Sequence, residues 1–266
     1  LISCFSKDMM VQIMGRGATL MTDLQMGDRV LTAEGKYETF YAWGHFLSTT
    51  DAKFVQFHTS DDNVVEMTPE HLIYLQRTSK PVRADSVQIG DHLITDQGAS
   101  ATVVNIQHVT KQGFYNPLTQ SGTIVVNGIL ASTYIAFNQR SAEYHIGSMP
   151  HHDYVHLGLA PFRLVCDAGS NTIFAAISRQ FCKQLDQDGY PSYIAFSIQV
   201  NAWALQQSKF VQLLVLFSVM VLCGACLFLE QLLVYRKMSA IAGAFFSMVA
   251  MTRKAIKYNN NKVKSV

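Results

Sequence analysis

The sequence contains two copies of one short pattern, and this repetition limits the folds that the chain can adopt. Residues 22–32 read TDLQMGDRVLT and residues 85–95 read DSVQIGDHLIT, an offset of 63 positions. Each copy places a Gly-Asp pair just before a run of apolar residues. Glycine takes backbone angles closed to other residues, and aspartate bonds the amides of its own turn. The pattern therefore predicts a turn that enters a buried strand, used twice by internal duplication.

The region from residue 9 to residue 137 is typical of all-β structure. Short runs of Val, Ile, Tyr and Thr alternate with turn residues, as in Thr123–Asn127 before Gly128. No window in this region carries a helical apolar stripe longer than about two turns, so long helices are not expected there. Together with the duplication, this predicts an all-β domain of two similar subdomains related by a pseudo-two-fold axis.

A charge-free apolar segment, Phe210–Leu229, dominates the C-terminal part of the chain. As a helix it would be about 30 Å long, which matches the hydrocarbon thickness of a bilayer. Lys209 precedes it, and residues 236–266 hold seven basic residues and no acidic one. We expect a membrane span, then a second apolar run (Met238–Met251) on a basic tail. A buried helix hairpin in a soluble domain is the alternative.

The composition excludes several classes of protein. The chain is 49% hydrophobic and 15% charged, which is too apolar for a disordered or collagen-like protein. A net charge of +2, with no stacking array of aromatics and no Gly-rich phosphate loop, argues against nucleic-acid and nucleotide binding. Five cysteines in 266 residues predict no disulfide scaffold, and their odd number leaves at least one thiol free for chemistry.

One histidine-rich stretch has loosely metal-like spacing: His145, His151, His152, Asp153 and His156. No cysteine stands beside it, and Pro150 favours a loop, so we interpret it as a solvated loop and predict no metal site. Cys223 and Cys226 form a CxxC inside the apolar segment, where packing or acylation is expected instead of zinc binding or redox chemistry. Ala160–Ile177 is expected to be helical, interrupted by Gly169 and Asn171.

Cys4, Thr68 and His71 supply the three groups that an acyl shift needs. A tight turn over Thr68-Pro69-Glu70-His71 would put the hydroxyl and the imidazole on one side, within reach of one peptide bond. A thiol attacks the carbonyl, an imidazole gives a proton to the leaving nitrogen, and a hydroxyl holds the peptide. A free cysteine is, however, more often a small buried hydrophobe than a nucleophile. The three residues alone leave both interpretations open.

The order of several motifs resembles that of Hedgehog C-terminal autoprocessing domains, which have the Hedgehog/intein (Hint) fold. The motifs are Cys4-Phe5, Leu24-x-x-Gly27-Asp28-Arg29-Val30-Leu31, Phe54-Val55-Gln56-Phe57-His58-Thr59, Thr68-Pro69-Glu70-His71-Leu72, Pro117-Leu118-Thr119-Gln120-Ser121-Gly122-Thr123-Ile124-Val125-Val126-Asn127, Ala131-Ser132 and Gly158-Leu159-Ala160-Pro161-Phe162-Arg163-Leu164. They extend in family order over residues 4–165, and the last long motifs favour Hedgehog-type domains over inteins. The family's fold has two homologous β subdomains, which agrees with the duplication.

The resemblance implies a single-turnover reaction in cis, carried out by a cysteine-type endopeptidase and cholesterol–protein transferase. Cys4 would attack the carbonyl of Ser3 and convert the Ser3–Cys4 amide to a thioester. His71 would protonate the departing nitrogen, and Thr68 would position the peptide. A sterol hydroxyl of the cholesterol type would then displace Cys4 and take the upstream signalling domain as an ester. No cofactor is implied.

The resemblance also implies an organisation and a location. Residues 1–3 would be the remnant of the upstream signalling domain, 4–137 the Hint domain, 138–208 a sterol-recognition-like region, and 209–266 the apolar helix with its basic tail. The chain is then expected to be the C-terminal piece of a longer protein. Its partners would be its own upstream domain, a sterol and the membrane, with no nucleic acid. We expect it in the secretory pathway, at the endoplasmic reticulum membrane, with the cleaved upstream domain secreted or at the cell surface.

Three departures from the family pattern bear on the chemistry. The residue before the nucleophile is Ser3 where Hedgehog proteins have Gly, which would slow the first step. Ser48 stands where an Asp is implicated in activating the sterol, so His45 or Asp51 is expected to replace it. Thr133 stands where the family has a partner thiol for Cys4. These changes leave two alternatives open: a self-cleaving hydrolase with water as acceptor, and a membrane-anchored Hint module that has lost its chemistry.

Splicing of the intein type is not expected. It needs an Asn at the end of the domain, normally after His and before Cys, Ser or Thr. Asn127 lies inside a strand-like run and is followed by Gly128, so it meets neither condition.

Overall fold

A computed structural model describes residues 4–78, 80–135, 151–168 and 175–232. The first two ranges form strands, and the last two form helices. The strands are β1 (Phe5–Ser6), β2 (Met10–Ile13), β3 (Gly17–Leu20), β4 (Arg29–Leu31), β5 (Tyr37–Thr59), β6 (Val64–Met67), β7 (His71–Ile73), β8 (Val82–Arg83), β9 (His92–Ile94), β10 (Ser100–Thr119), β11 (Thr123–Val126) and β12 (Ile129–Ile135). The predicted all-β region is confirmed over its described residues.

Two long strands form the spine of the fold. β5 and β10 pair antiparallel from Val103 opposite Thr59 to Thr119 opposite Phe40, with register shifts that bend both strands. The other strands attach on either side, in the order β8-β7-β12-β11-β2-β4-β5-β6-β1-β10-β9, and β3 pairs with β2. Because each long strand serves both halves, the two subdomains share one continuous core.

The two Gly-Asp turns are matched in detail. Gly27 and Gly90 have φ of +100° and +93°, a region that favours glycine. Oδ2 of Asp28 and of Asp91 accepts a hydrogen bond from the backbone N–H three residues earlier, at 2.9 Å in both turns. This confirms the duplicated turn predicted from the sequence.

The turns also hold equivalent positions on the spine. The N–H of Gly27 donates to the carbonyl of Phe40 on β5 at 2.9 Å, and that of Gly90 donates to the carbonyl of Val103 on β10 at 2.8 Å. Each turn therefore fixes its own short strand against one of the two long strands. This is what a duplicated subdomain requires.

The main core lies inside the strand-rich part. Its largest fully buried members are Phe5, Phe40, Phe57, Met21, Met67 and Ile73. A second cluster joins the strands to the helical part and contains Tyr41, Ala42, Leu118, Tyr134, Phe162, Cys166 and Cys182. The helical part is therefore packed on the strands and is not a detached tail.

The helical part contains α1 (His151–Gly158), α2 (Ala160–Arg163), α3 (Ala175–Lys183), α4 (Ser192–Leu205) and α5 (Lys209–Leu232). A π-helical turn, Leu164–Ala168, follows α2. The expected helical region over Ala160–Ile177 is helical in its described residues, although it changes from an α-helix to a π turn at Leu164. Gly169 and Asn171, the expected interruptions, lie outside the described residues.

A disulfide joins Cys166 to Cys182, with a Cα–Cα distance of 5.7 Å. It ties the π turn to α3 inside the second cluster. Cys4, Cys223 and Cys226 remain as free thiols. The cysteine count predicted at least one free thiol but gave no indication of this bridge.

The apolar segment forms α5, which has a mean hydropathy of 2.5 over its most apolar window. By length and composition it could cross a membrane. Only 6% of that window is buried against the described residues, which therefore leave most of its surface uncovered. Met238–Met251, the partner in the buried-hairpin alternative, lies outside the described residues.

A pair of glycine substitutions tests the packing of β12 against the turn before β11. Gly122 has φ of +74°, and a Cβ there would lie 2.2 Å from the ring of Tyr134. Gly15 has φ of +80° and open space around the same position. We expect Gly15→Ala to lower the free energy of unfolding by about 1–2 kcal/mol through backbone strain alone. Gly122→Ala should cost about 3–4 kcal/mol, because overpacking adds to the strain.

Urea unfolding of the full chain in detergent, followed by near-ultraviolet circular dichroism, measures both values. Equal losses in the free energy of unfolding for Gly15→Ala and Gly122→Ala would show that the Tyr134 ring moves aside without a cost in free energy.

Candidate active site

A short strand carries Cys4 into the centre of the strand-rich part. β1 pairs on one side with β10, where Phe5 opposes Tyr115, and on the other with β6, where Phe5 opposes Met67. Cys4 precedes this strand and is fully buried, with its side chain packed against Phe54 and Phe114. Burial raises the pKa of the Cys4 thiol well above its usual value, so the sulfur is protonated at rest.

Thr68 holds the backbone of Cys4 from both directions. The N–H of Cys4 donates to Thr68 Oγ1 at 3.1 Å, and the N–H of Thr68 donates to the carbonyl of Cys4 at 2.9 Å. Thr68 follows β6 directly, and β6 pairs with β1, so the sheet register sets this contact. The nitrogen held by the hydroxyl is that of the Ser3–Cys4 bond. Ser3 itself lies outside the described residues.

His71 is reached through the tight turn predicted from its spacing. Its N–H donates to the carbonyl of Thr68 at 3.0 Å, which closes the turn and starts β7. The ring is fully buried, with its centroid 4.3 Å from that of Phe5. The structure thus brings Cys4, Thr68 and His71 to one place, on three different strands or strand ends.

The charge state of His71 follows from its surroundings. Burial lowers its pKa to about 4, although a hydrogen bond to the carbonyl of Ser132 acts in the opposite direction. His71 Nε2 lies 2.7 Å from that oxygen. A carbonyl can only accept, so Nε2 carries the hydrogen of the neutral ring. At neutral pH His71 is therefore uncharged and must gain a proton before it can act as an acid.

His45 lies against the sulfur of Cys4. Its Nδ1 is 3.5 Å from Cys4 Sγ, and its Nε2 is 2.7 Å from the carbonyl oxygen of Asp188. Its ring stacks on Tyr190 with centroids 4.2 Å apart and planes at 10°. The sequence predicted His45 only as a substitute in acceptor activation. Asp188, whose carbonyl accepts from the ring, lies 143 positions after His45 in the sequence. No local sequence pattern encodes a contact over that distance.

The other two residues proposed for acceptor activation lie further along β5. Ser48 and Asp51 are both exposed, and Asp51 opposes Gln112 in the strand pair. Within the described ranges neither forms a hydrogen bond with Cys4. Leu47 and Ala52 separate them from it, because these two side chains pack on the Cys4 cluster.

The histidine-rich stretch was wrongly interpreted as a solvated loop. His151–Gly158 is helix α1, which lies on β12. His152 Nδ1 is 3.0 Å from Ser132 Oγ, and His156 Nδ1 is 2.9 Å from Tyr134 Oη. Burial, together with the charge of Arg163, lowers the pKa of His156 to about 3. Pro150 and the polar composition suggested a loop, but packing against β12 determined the conformation.

The described parts of the chain contain no group of three or more potential metal ligands, and His145 lies outside them. Thr133, which replaces the family's partner thiol, is fully buried on β12.

Comparisons with known proteins agree with this geometry. The family model described as "Hint module" matches residues 1–203. "Warthog protein 6" of Caenorhabditis elegans is 34% identical over 143 residues, which are 49% of this chain and 24% of that protein. "Protein hedgehog" of Drosophila virilis is 28% identical over 174 residues, 61% of this chain and 34% of that protein. The matched part is therefore about a quarter to a third of the length of these relatives.

Among solved structures, the "Crystal structure of gp41-1 intein" is similar, with a TM-score of 0.43 and 16% identity. The match covers 50% of this chain and 99% of the intein.

The buried, neutral state of His71 predicts a dependence of stability on pH. The folded pKa of about 4 lies below the ordinary value of 6.5. The contribution of His71 is therefore complete above pH 6.5 and is lost as the pH falls towards 4. Between pH 7.5 and pH 5.5 we expect His71 to account for a loss of about 1 kcal/mol in the free energy of unfolding.

Urea unfolding at the two pH values compares the wild type with His71→Gln, which keeps a donor for Ser132. His108→Gln, at an exposed site on β10, is the matched control and should keep the wild-type dependence. An unchanged dependence in His71→Gln would contradict the prediction.

Proposed function

The chain belongs to the Hint module family, and we propose that it cleaves its own backbone at the Ser3–Cys4 bond and transfers the upstream segment to a sterol. The observation that carries this proposal is the pair of hydrogen bonds between Cys4 and Thr68. They hold the nitrogen of the bond to be broken next to a buried thiol.

The first step is an N-to-S acyl shift. The sulfur of Cys4 bonds to the carbonyl carbon of Ser3, and the C–N bond to Cys4 breaks. The nitrogen leaves as an amine and takes a proton through His71, while Thr68 Oγ1 keeps it in position. The product is a thioester between Ser3 and Cys4. One proton has moved from sulfur to nitrogen, so the step consumes no other reagent.

The second step transfers the acyl group to an alcohol. The acceptor's oxygen attacks the thioester carbonyl, and the sulfur of Cys4 leaves and regains a proton. Two features support a sterol as acceptor. Hedgehog proteins are among the relatives, and the helical part exposes large apolar side chains on α4 and α5, including Phe196, Trp203 and Phe217. A lipid acceptor would meet such a surface in or at a membrane.

The same features support a location in the secretory pathway, at the endoplasmic reticulum membrane. The Cys166–Cys182 disulfide is typical of an oxidising compartment. α5 is long and apolar enough to hold the chain in a bilayer. The upstream domain would then be released to the cell surface or secreted after transfer.

One observation favours water as a second candidate for the acceptor. Ser48 replaces a carboxylate and lies exposed on β5, where it has no hydrogen bond to Cys4 within the described ranges. A chain without an activated sterol would release the upstream segment as a free acid.

The nucleophile is tested with a reporter fused upstream of Leu1. Hydroxylamine is the reagent of choice, because dithiothreitol would also reduce Cys166–Cys182. We expect release of the reporter as the hydroxamate of Ser3, and no release from Cys4→Ala. Cys226→Ala, which removes a free thiol of α5, should react like the wild type. Thr68→Val keeps the shape but loses the acceptor oxygen, and should slow release about a hundredfold through misplacement of the bond.

Release from Cys4→Ala at the wild-type rate would refute this assignment. If the wild type releases no reporter, the result instead supports the alternative of a membrane-anchored Hint module without chemistry.

The acceptor is tested with cholesterol in detergent micelles and intact mass measurement of the released reporter. We expect the mass of a cholesteryl ester. Cholesteryl methyl ether is the matched control, since it has the same ring system but no hydroxyl to attack. A free acid in the presence of cholesterol would exclude the sterol and establish the hydrolase.

A further inference from the structure

We propose that His45 is the base that accepts the thiol proton of Cys4, and that the turn of residues 186–190 fixes the ring in the tautomer that can do so. We name these residues the 186–190 turn. The inference rests on the proposed self-cleavage, since it assigns a role within that reaction.

The hydrogen-bond partners of His45 define its tautomer. Nε2 lies 2.7 Å from the carbonyl oxygen of Asp188, and a carbonyl only accepts, so Nε2 carries the hydrogen. In a neutral ring the other nitrogen then presents a lone pair. That nitrogen, Nδ1, is the one 3.5 Å from Cys4 Sγ. The thiol must therefore be the donor in this contact, which is the arrangement that proton removal requires.

The surroundings of Cys4 make such a base necessary. The sulfur is fully buried beside Phe54 and Phe114, so direct transfer of its proton to solvent is slow. The thiolate is the nucleophile, so a neighbouring group must remove the proton as the carbon–sulfur bond forms. His45 is in hydrogen-bond contact with that sulfur and is itself only 2% exposed.

The groups around His45 suit a ring that is neutral at rest and carries a positive charge only during the proton transfer. Burial lowers the pKa of His45, whereas the carbonyl of Asp188 and the carboxylates of Asp186 and Asp188 act in the opposite direction. The ring is therefore a free base at neutral pH. Once it is protonated, the same carbonyl and carboxylates stabilise the imidazolium.

The 186–190 turn is firmly seated on β5. The N–H of Phe46 donates to the carbonyl of Gly189 at 3.0 Å. The carboxylate of Asp186 accepts from the N–H groups of Asp188 and Tyr190 at 3.0 and 2.9 Å. Gly189 has φ of +78°, and a Cβ there would lie 2.3 Å from the carbonyl oxygen of Phe46. Only glycine allows this approach.

The turn therefore supplies both contacts that orient the ring: the carbonyl of Asp188 and the stacked ring of Tyr190. It belongs to the helical part and leads directly into α4. His45, the proposed base, lies on β5, whereas the 186–190 turn that orients its ring lies outside the strands of the Hint fold.

The proton balance of the step is closed. The S–H bond breaks, the proton moves to His45 Nδ1, and the sulfur bonds to the carbonyl carbon of Ser3. The C–N bond then breaks, His71 takes a proton from water and delivers it to the leaving nitrogen, and His45 releases the thiol proton to water. One proton has passed from sulfur to nitrogen, and both rings are neutral again. His45 is then available to take the acceptor's hydroxyl proton and return it to sulfur.

The first test compares hydroxylamine release from His45→Gln with the wild type. Loss of a general base should slow release about 10²–10⁴-fold at neutral pH. The rate of the variant should then rise about tenfold per pH unit, because the thiolate must form without help, while the wild-type rate changes little. A merely structural defect would lower the rate without steepening this profile. His58→Gln, on the same strand but bonded to Gln56, is the matched control and should behave as wild type.

The second test concerns the turn. Gly189→Ala should displace it and slow release, and the double variant with His45→Gln should be no slower than His45→Gln alone. Tyr190→Phe keeps the stacked ring and should react at nearly the wild-type rate. Circular dichroism verifies that each variant is folded.

The outcomes separate the two proposals. A wild type that releases nothing overturns the self-cleavage and with it the role of His45. A wild type and His45→Gln with equal rates and equal pH profiles overturn the role of His45 alone. If the losses in release rate from Gly189→Ala and His45→Gln add in the double variant, the proposed role of the 186–190 turn is overturned.

Discussion

The structure depends on the insertion of β1 between β6 and β10. This two-residue strand pairs on both sides, so the position of Cys4 is set by the register of two other strands and not by its own short segment. The hydrogen bonds with Thr68 then follow from the end of β6. A segment paired on both sides in this way fixes one peptide bond against a thiol, which provides proximity and orientation before any reaction begins.

Much of this arrangement could be predicted from the sequence because the relevant signals are local. The Gly-Asp turns are readable because a positive φ at Gly27 and Gly90 needs glycine, whichever strands surround it. Thr68 and His71 are readable because their spacing already defines a tight turn. Cys4 acquired its meaning only with the order of the other motifs, since a lone buried thiol has many explanations.

The rest depends on contacts between distant segments. The ring of His45 contacts the sulfur of Cys4 and is oriented by the carbonyl of Asp188, which lies 143 positions further along the chain. Cys166 and Cys182 pair because the π turn after α2 packs against α3, and spacing alone does not indicate which cysteines will meet. His152 and His156 of α1 are polar and follow a proline, yet both are half-buried and bonded to side chains of β12. In each case tertiary packing overrode the local pattern.

The corner formed by α1 and α2 is contacted by both α4 and α5, and these contacts determine to which side of the molecule the chain returns. Tyr193, near the start of α4, donates to the carbonyl of Gly158 at 2.8 Å. Cys223 of α5 reaches the same oxygen at 4.0 Å, and Glu230 pairs with Arg163 at 2.8 Å. From this corner the two helices run about 20 Å out to the connection at 206–208 and back. By Glu230 the chain has thus returned to the side from which α4 leaves, next to α1 and α2, whatever medium surrounds the far end of the loop.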